Sequence, residues 1–237
     1  MEETPPKGRT PGTLYIVATP IGNLDDLTFR ALKTLREVSS IACEDTRRTR
    51  KLLTKYEIQK RLISYFRPKE KQKMARILSL LEEGRDVALV SDAGTPGISD
   101  PGFLLIKEAV SRRIRVVPIP GVSAVTAALS ASGLPTHRFL FVGFPPPKKE
   151  AVKKLLKSLK EESGTLVFYL PTRKLALFCK LIQEILGERS VVIAREMTKI
   201  HEEFLRGKPG ALMNALPEGN LKGEATVLVG PAEKSLS

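Results

Sequence analysis

Two adjacent carboxylates, Glu44 and Asp45, stand directly before a strongly basic stretch that begins with Arg47 and Arg48. A carboxylate can accept the proton of a reacting hydroxyl group, and guanidinium groups can hold the phosphates of a nucleic acid. The pattern therefore predicts a site that positions and deprotonates a phosphate-bearing substrate. The residues alone leave a second interpretation open, in which Asp45 or Thr46 only caps a surface helix.

Three further segments, residues 19–26, 91–102 and 118–123, combine glycine with proline, and the first two add aspartates. Glycine lets a backbone approach a ligand closely, and proline fixes the shape of a loop in advance. Residues 91–102 favour a ligand that is cationic or rich in hydrogen-bond donors, although tight turns capped by aspartate are the alternative. None of the three matches G-x-G-x-x-G or Walker A, so dinucleotide and ATP sites are disfavoured.

The elements that must position these loops follow from apolar runs that alternate with helical spacing. Over residues 13–120 this alternation predicts a parallel sheet with helices on both faces, and residues 87–90, which lack polar alternation, predict its central strand. Each candidate loop follows a predicted strand, and open α/β sheets bind ligands at the carboxyl ends of their strands. The pattern restarts after Gly121, so we predict a flexible tail over 1–12, an N-terminal α/β domain over 13–120 and a C-terminal α/β domain over 121–232.

The positive charge is concentrated in two segments. The chain has 39 Lys and Arg against 26 Asp and Glu, a net charge of +13. Residues 45–76 hold twelve basic side chains against three acidic ones, and residues 148–160 hold six lysines against one glutamate. Such local excess indicates a polyanionic partner such as nucleic acid, whereas a solvated surface of the kind found in heat-stable proteins is the alternative.

Composition excludes several classes of protein. The chain has two cysteines and two histidines, which disfavours a disulfide framework, a His-rich metal site and a Ser/His/Asp triad, so no metal is expected. No apolar run approaches the roughly 18 residues of a membrane span. Residues 1–12 are polar and rich in Pro and Gly, which is not typical of a secretory signal. These observations predict a cytoplasmic protein.

Several segments, in the same order along the chain, resemble the 16S ribosomal RNA cytidine 2′-O-methyltransferases. That family is a branch of the tetrapyrrole (corrin/porphyrin) methylase superfamily. The segments that carry the resemblance are LYIVATPIGNL (14–24), EDTR (44–47), SDAGTPGISDPG (91–102), VVPIPG (116–121), ASGLP (131–135), AREMTK (194–199) and GE (223–224).

The resemblance implies a fold, a cofactor and a substrate. The fold would be two α/β lobes of the tetrapyrrole methylase type, with S-adenosyl-L-methionine in the cleft between them. The substrate would be a cytidine ribose in the decoding region of 16S rRNA, within the 30S subunit, and the protein would be a homodimer. Two other functions stay open: methylation of a tetrapyrrole or other small molecule, and a non-enzymatic rRNA-binding factor.

Carried over by position, the resemblance also implies which residues bind the cofactor. They are Pro20, Ala93, Gly94, Thr95, Ser99, Asp100, Pro101, Ser123, Ala124, Tyr169, Leu170, Ala194, Arg195 and Thr226. At Leu170 the chain departs from its relatives, which often have an acidic residue there.

For the reaction itself we predict that Glu44 or Asp45 accepts the proton and that Arg47 holds a flanking phosphate, with Asp25 and Asp100 as reserve candidates for the acceptor. The predicted RNA-binding residues are Arg47, Arg48, Lys51, Arg67, Lys153 and Lys154. Tyr65 and Phe66 lie among the first group of cations and could stack on an unpaired base, or could end a core strand.

Overall fold

The computed structural model describes residues 10–66, 70–216 and 223–232. The chain divides into two compact units, Met1–Ser123 and Ala124–Ser237. The sequence predicts a division after residue 120, and the compact units divide after Ser123. Residues 1–9 of the predicted tail lie outside the described residues, and the backbone N–H of Gly12 donates to the carbonyl of Leu81 at 2.7 Å.

The first unit contains a five-stranded sheet in the order β3-β2-β4-β1-β5, and each pair of neighbouring strands is parallel. The strands are β1 (Leu14–Val17), β2 (Ser40–Cys43), β3 (Arg61–Ser64), β4 (Val87–Val90) and β5 (Val116–Ile119). The helices between them are α1 (Phe29–Glu37), α2 (Thr46–Lys55), α3 (Glu70–Glu82) and α4 (Phe103–Ser111). All four residues of β4 are buried at the centre of the sheet, as the sequence predicts.

Helices cover both faces of this sheet, so each face has its own apolar core. Leu78 of α3 and Leu105 of α4 pack with Leu89 on one face. Leu35 of α1 and Leu53 of α2 pack on the other. Burying a side chain of this size stabilises the fold by about 1.5–3 kcal/mol, so the two layers hold the strand ends in fixed positions.

The second unit contains a mixed five-stranded sheet in the order β6-β7-β10-β8-β9. Its strands are β6 (Phe139–Gly143), β7 (Thr165–Pro171), β8 (Val191–Arg195), β9 (Glu203–Gly207) and β10 (Glu224–Val229), and its helices are α5 (Ala124–Ser130), α6 (Lys149–Ser158), α7 (Leu175–Leu186) and α8 (Pro209–Ala215). Only β6 and β7 pair in parallel, whereas the other three pairings are antiparallel. The core on one face joins α6, α7 and α8, and the rings of Phe168 and Phe178 meet edge to face at 5.1 Å.

In the second unit the sequence pattern predicts a basic helix over residues 153–159 and a strand over 200–206, but both elements begin at other residues in the structure. Helix α6 begins at Lys149 and not at Lys153, because its first turn is polar and the apolar spacing becomes visible only from Val152. Strand β9 begins at Glu203 and not at Ile200. Glu196 and Thr198 adopt positive φ angles of 50° and 65°, so the chain turns after β8 before it can extend again.

Gly102 holds the loop after β4 against the strand, which gives a test of this packing. Its φ is +143°, and a Cβ there would lie 3.0 Å from Leu89 Cδ2 and 3.2 Å from the Gly97 nitrogen. We expect Gly102→Ala to lower the free energy of unfolding by about 2–4 kcal/mol. Gly97→Ala is the matched control: its φ is +83°, its nearest contact is an ordinary 3.5 Å, and it should cost about 1 kcal/mol. Equal losses in urea titrations would contradict the close packing.

Candidate functional site

The loops after β1 and β4 are joined at the carboxyl edge of the first sheet. Thr19 and Gly94 exchange backbone hydrogen bonds, Thr19 N–H to Gly94 O at 2.8 Å and Gly94 N–H to Thr19 O at 2.9 Å. The hydroxyl of Thr19 also donates to the carbonyl of Ser91 at 3.1 Å. The first two Gly/Pro segments of the sequence therefore form one structure.

The loop after β5 joins the same cluster, because β1 lies between β4 and β5 in the sheet. The hydroxyl of Thr95 donates to the carbonyl of Val122 at 3.4 Å. A Cβ on Gly121 would lie 3.0 Å from the Cβ of Ala18, so glycine permits the backbones to approach closely there. All three segments that the sequence analysis selects meet at one edge.

Asp92 connects this cluster to the acidic and basic residues that follow β2. Its Oδ1 accepts the backbone N–H of Asp45 at 3.0 Å, and its Oδ2 lies 3.4 Å from Arg48 Nη1. Asp92 is not among the site residues that the sequence predicts. The one sequence feature that could have indicated a site role for Asp92 is its position, since it follows Ser91 directly after the central buried strand.

Asp45 is the N-cap of α2 and holds Arg47. Its carboxylate accepts the Arg47 backbone N–H at 2.8 Å and pairs with both Nε and Nη2 of the Arg47 guanidinium, at 3.2 and 2.8 Å. These hydrogen bonds lower the pKa of Asp45 to about 2. A carboxylate with so low a pKa is a weak proton acceptor near pH 7, so its contacts favour the capping role over the catalytic one.

The two aspartates of the β1 loop have different surroundings. Asp25 pairs with Lys55, and the hydroxyl of Tyr56 donates to the carbonyl of Leu24, so the short 3-10 helix Leu24–Asp26 is attached to the end of α2. The Oδ2 atom of Asp26 is buried and accepts no hydrogen bond from the described residues. Asp26 is not among the sequence-predicted site residues, because only the fold shows which of the two carboxylates is buried.

The cofactor candidates of the second unit lie on two faces of its sheet. Tyr169 and Ala194 both pair directly with Thr226, so these three residues form one row across β7, β10 and β8. Leu170 and Arg195 belong to the adjacent row and therefore face the other way. Leu170 packs in the core below α6 and α7, and Arg195 Nε lies 3.1 Å from Glu203 Oε2. Ala124 begins α5.

The first unit fits the cofactor that the resemblance implies. Positive φ angles at Gly94, Gly97 and Ser99, of 77°, 83° and 65°, turn the backbone of the β4 loop so that its polar groups face several directions. A Cβ on Gly94 would reach Ile21 Cγ2 at 3.6 Å and the carbonyl of Val122 at 3.9 Å, so it would fill space between the loops. The buried acceptor of Asp26 suits the ammonium and ribose hydroxyls of S-adenosylmethionine.

The predicted RNA-binding residues also differ in their surroundings. Arg47 and Arg48 are 88% and 69% exposed on α2, where Lys51 is exposed as well. Lys154 is exposed on α6, but Lys153 is only 24% exposed and pairs with Glu184 at 2.7 Å. Arg67 lies outside the described residues.

The suggestion that Tyr65 stacks on a base is wrong. Tyr65 is 1% exposed and belongs to the core below α3, so its ring is not available to a substrate. Its neighbour Phe66 is half-buried.

Searches for metal and membrane features concern the described residues only. Over 10–66, 70–216 and 223–232, no group of three or more His, Cys, Asp or Glu side chains could hold a metal ion. Within the same ranges, no helix has both the length and the apolar character needed to span a bilayer.

Comparison with known proteins gives matches over nearly the whole chain. Residues 13–212 match the model of the tetrapyrrole (corrin/porphyrin) methylases. The ribosomal RNA small subunit methyltransferase I of Thermotoga maritima is 49% identical over 94% of this chain and 100% of the relative. The protein of the same name from Halalkalibacterium halodurans is 47% identical over 94% of this chain and 78% of its own length.

The fold is also similar to that of a solved cobalamin biosynthetic enzyme, cobalt precorrin-4 methyltransferase. The TM-score is 0.69 at 19% identity, and the match covers 92% of this chain and 94% of the other. At this identity the similarity concerns the fold alone.

The low pKa of Asp45 predicts its titration. We expect the carboxyl ¹³C signal of Asp45 to give a midpoint near pH 2 and, in Arg47→Gln, a midpoint that moves toward the ordinary 3.8. Because the pKa is lowered in the folded state, the ion pair stabilises the fold above pH 3.8, and this stabilisation disappears as the pH falls toward 2. Arg50→Gln, on the same helix, is the control and should leave the midpoint in place. A wild-type midpoint near 3.8 would contradict the ion pair.

Proposed function

The chain belongs to the ribosomal RNA small subunit methyltransferase I family within the tetrapyrrole (corrin/porphyrin) methylases, and from this premise we propose that it methylates the 2′-hydroxyl of a cytidine in the decoding region of 16S rRNA. Methyltransferases of this family use S-adenosylmethionine. The observation that carries the proposal is the Asp92 carboxylate, which joins the β4 loop to Asp45 and Arg48. Loops suited to a small cofactor and cations suited to phosphates thus share one sheet edge.

S-adenosylmethionine supplies an activated methyl group when it is bound. We propose that the β1, β4 and β5 loops of the first unit bind it. In the second unit, Tyr169, Ala194 and Thr226 share one row of the sheet and stay predicted cofactor-binding residues. The first-unit residues proposed for this are Pro20, Ala93, Gly94, Thr95, Ser99, Asp100, Pro101 and Ser123. To these we add Asp26, whose buried Oδ2 accepts no hydrogen bond from the described residues.

Glu44 is the proton acceptor that we propose. Of the two adjacent carboxylates, Asp45 is already engaged with the helix N-terminus and with Arg47, which lowers its pKa to about 2. Asp45 then has a positioning role, because it holds the Arg47 guanidinium that would contact a phosphate beside the reacting ribose. Positioning contributes much of the rate in such a transfer, and a general base adds about 10²–10⁴-fold.

The proposed substrate follows from the charge of α2. Arg47, Arg48 and Lys51 are exposed within the more basic of the two segments. A small tetrapyrrole would use the loops but would leave this helix without a role. We further propose that the substrate is the 16S rRNA of the 30S subunit, that the enzyme acts in the cytoplasm and that it works as a homodimer.

Transfer of labelled methyl groups tests the reaction. We expect label from S-adenosylmethionine on 16S rRNA in purified 30S subunits, and a gap in the alkaline hydrolysis ladder at one cytidine, because a 2′-O-methyl group blocks that cleavage. Glu44→Gln should lower kcat by about 10²–10⁴-fold with unchanged cofactor affinity. Glu37→Gln, at an exposed position of α1, is the control and should match the wild type. Label on a tetrapyrrole but not on RNA would contradict the proposed substrate. Full activity in Glu44→Gln would contradict the proposed role of Glu44 as proton acceptor.

Salt dependence tests the binding of phosphates by α2. Replacing Arg47, Arg48 and Lys51 together by Ala should weaken binding to 16S rRNA, because these side chains then no longer neutralise phosphates. The plot of log affinity against log salt should flatten by about 0.7 for each phosphate of a single strand that the variant fails to bind. The control removes the same charge elsewhere in the first unit, at the exposed residues Lys33, Lys107 and Arg115. A slope that is equal in the two triple variants would place the RNA-binding surface elsewhere.

A further inference from the structure

The second unit contains an apolar pocket that the proposed reaction does not use. Its volume is about 150 Å³, and it lies between the Pro145–Pro147 stretch, the end of β7 and helix α7. Phe144 and Leu177, each 45% exposed, lie at its opening, and Phe178 and Leu181 are buried deeper. The two charged side chains among its lining residues are Lys149 and Lys174.

The size and walls of the pocket suit one flat ring. A protein cavity of roughly 150 Å³ lined by apolar side chains accepts benzene, so a pyrimidine base fits a pocket of this volume. Aromatic side chains provide stacking surfaces for unpaired bases. The ring of Phe144 is itself supported by Tyr169, with centroids 5.4 Å apart, and three consecutive prolines restrict the adjoining backbone. The pocket is therefore largely formed before a ligand arrives.

The charges around the opening favour an anion. Lys149 is the first residue of α6, and Lys174 is the N-cap of α7. Neither helix has a side-chain hydrogen bond at its N-cap, so the α6 N-terminus adds the positive end of its dipole to the charge of Lys149. At α7 the backbone N–H of Leu175 already donates to the carbonyl of Thr172, so the positive charge there comes from the Lys174 side chain. Glu150 lies in the first turn of α6 but does not line the pocket. A ligand that is flat, apolar and flanked by negative charges matches this arrangement.

We propose that this pocket binds one unstacked base of single-stranded RNA, with the phosphates on either side held by Lys149 and Lys174. The proposal rests on the proposed function, because it assigns the pocket to the rRNA substrate. The alternative ligand is an apolar segment of an acidic protein, which could also bind in an apolar pocket flanked by lysines. The observations favour RNA, because the volume matches a single ring and the positive charge flanks it at two separate helix ends.

Binding of a short fluorescent single-stranded RNA of mixed sequence to the full-length protein tests the proposal without cofactor or turnover. Phe144→Ala should weaken binding about tenfold, because stacking on an aromatic ring is removed. The matched control is Phe139→Ala, which is also 45% exposed on β6 but lies outside the pocket, and which should bind like the wild type. Leu177→Trp fills the opening from α7 without disturbing the core and should weaken binding to a similar extent.

Two further comparisons separate the base from the phosphates. An RNA strand with every base replaced by an abasic site should bind wild type and Phe144→Ala equally, because it has nothing to place in the pocket. Lys149→Ala should reduce the salt slope by about 0.7. Lys157→Ala, also exposed on α6, is the control and should leave the slope unchanged.

The outcomes distinguish this proposal from the proposed function. Normal RNA binding by both Phe144→Ala and Leu177→Trp would overturn it, and loss of methylation on 30S subunits alone would then indicate a ribosomal protein in the pocket. Equal loss in Phe139→Ala would also overturn it. Because the assay needs no methyl transfer, pocket-dependent binding would stand even if no label reached 16S rRNA. Conversely, if both pocket variants keep their methylation activity and their RNA affinity, the pocket does not bind the base, and the proposed function still stands.

Discussion

The candidate site of the first unit depends on hydrogen bonds made at the end of one strand. Strand β4 is the middle of five, and the residues that follow it bond to both sides: Gly94 to Thr19 after β1, and Asp92 to Asp45 after β2. Ser91 adds a hydroxyl that donates to the carbonyls of Ala93 and Gly94 at 3.2 and 3.3 Å. Polar groups so near the core are costly to bury without partners, so these bonds fix the loops in one arrangement.

This dependence explains what the sequence could and could not predict. Apolar runs and helical spacing predict the strands, and the carboxyl-edge rule predicts that the loops after them bind ligands. The order of the strands is a tertiary property, so the position of β1 between β4 and β5 could not be obtained from spacing. For the same reason the spacing does not identify Asp92, whose partners Arg48 and Asp45 lie 44 and 47 residues away along the chain.

The ambiguity at Glu44 and Asp45 is of a different kind. Both interpretations of Asp45 use the same atoms, since a carboxylate that caps a helix and one that accepts a proton look alike in a sequence. In the fold Arg47 engages both oxygens of Asp45, which favours the capping interpretation. In the second unit the fold shows which of two neighbouring residues points to each face of the sheet. Tyr169 and Leu170 are adjacent in sequence, but the alternation of a strand places them on opposite faces of the sheet.

The positive charge is a further example. The sequence gives the net charge of a segment, but the fold shows which cationic side chains are paired and which are exposed. Arg47 and Arg48 are each held by an aspartate, so their guanidinium groups are fixed near the loop cluster while remaining mostly exposed. Lys153 is held by Glu184 and is mostly covered. Ion pairs between exposed side chains are screened by water and cost side-chain entropy to hold in place, so the pairs on α2 contribute little to stability. Their effect is to orient cations in advance, which lowers the entropic cost of binding a phosphate. The carboxylates among the arginines are therefore compatible with the phosphate-binding role that we propose for α2.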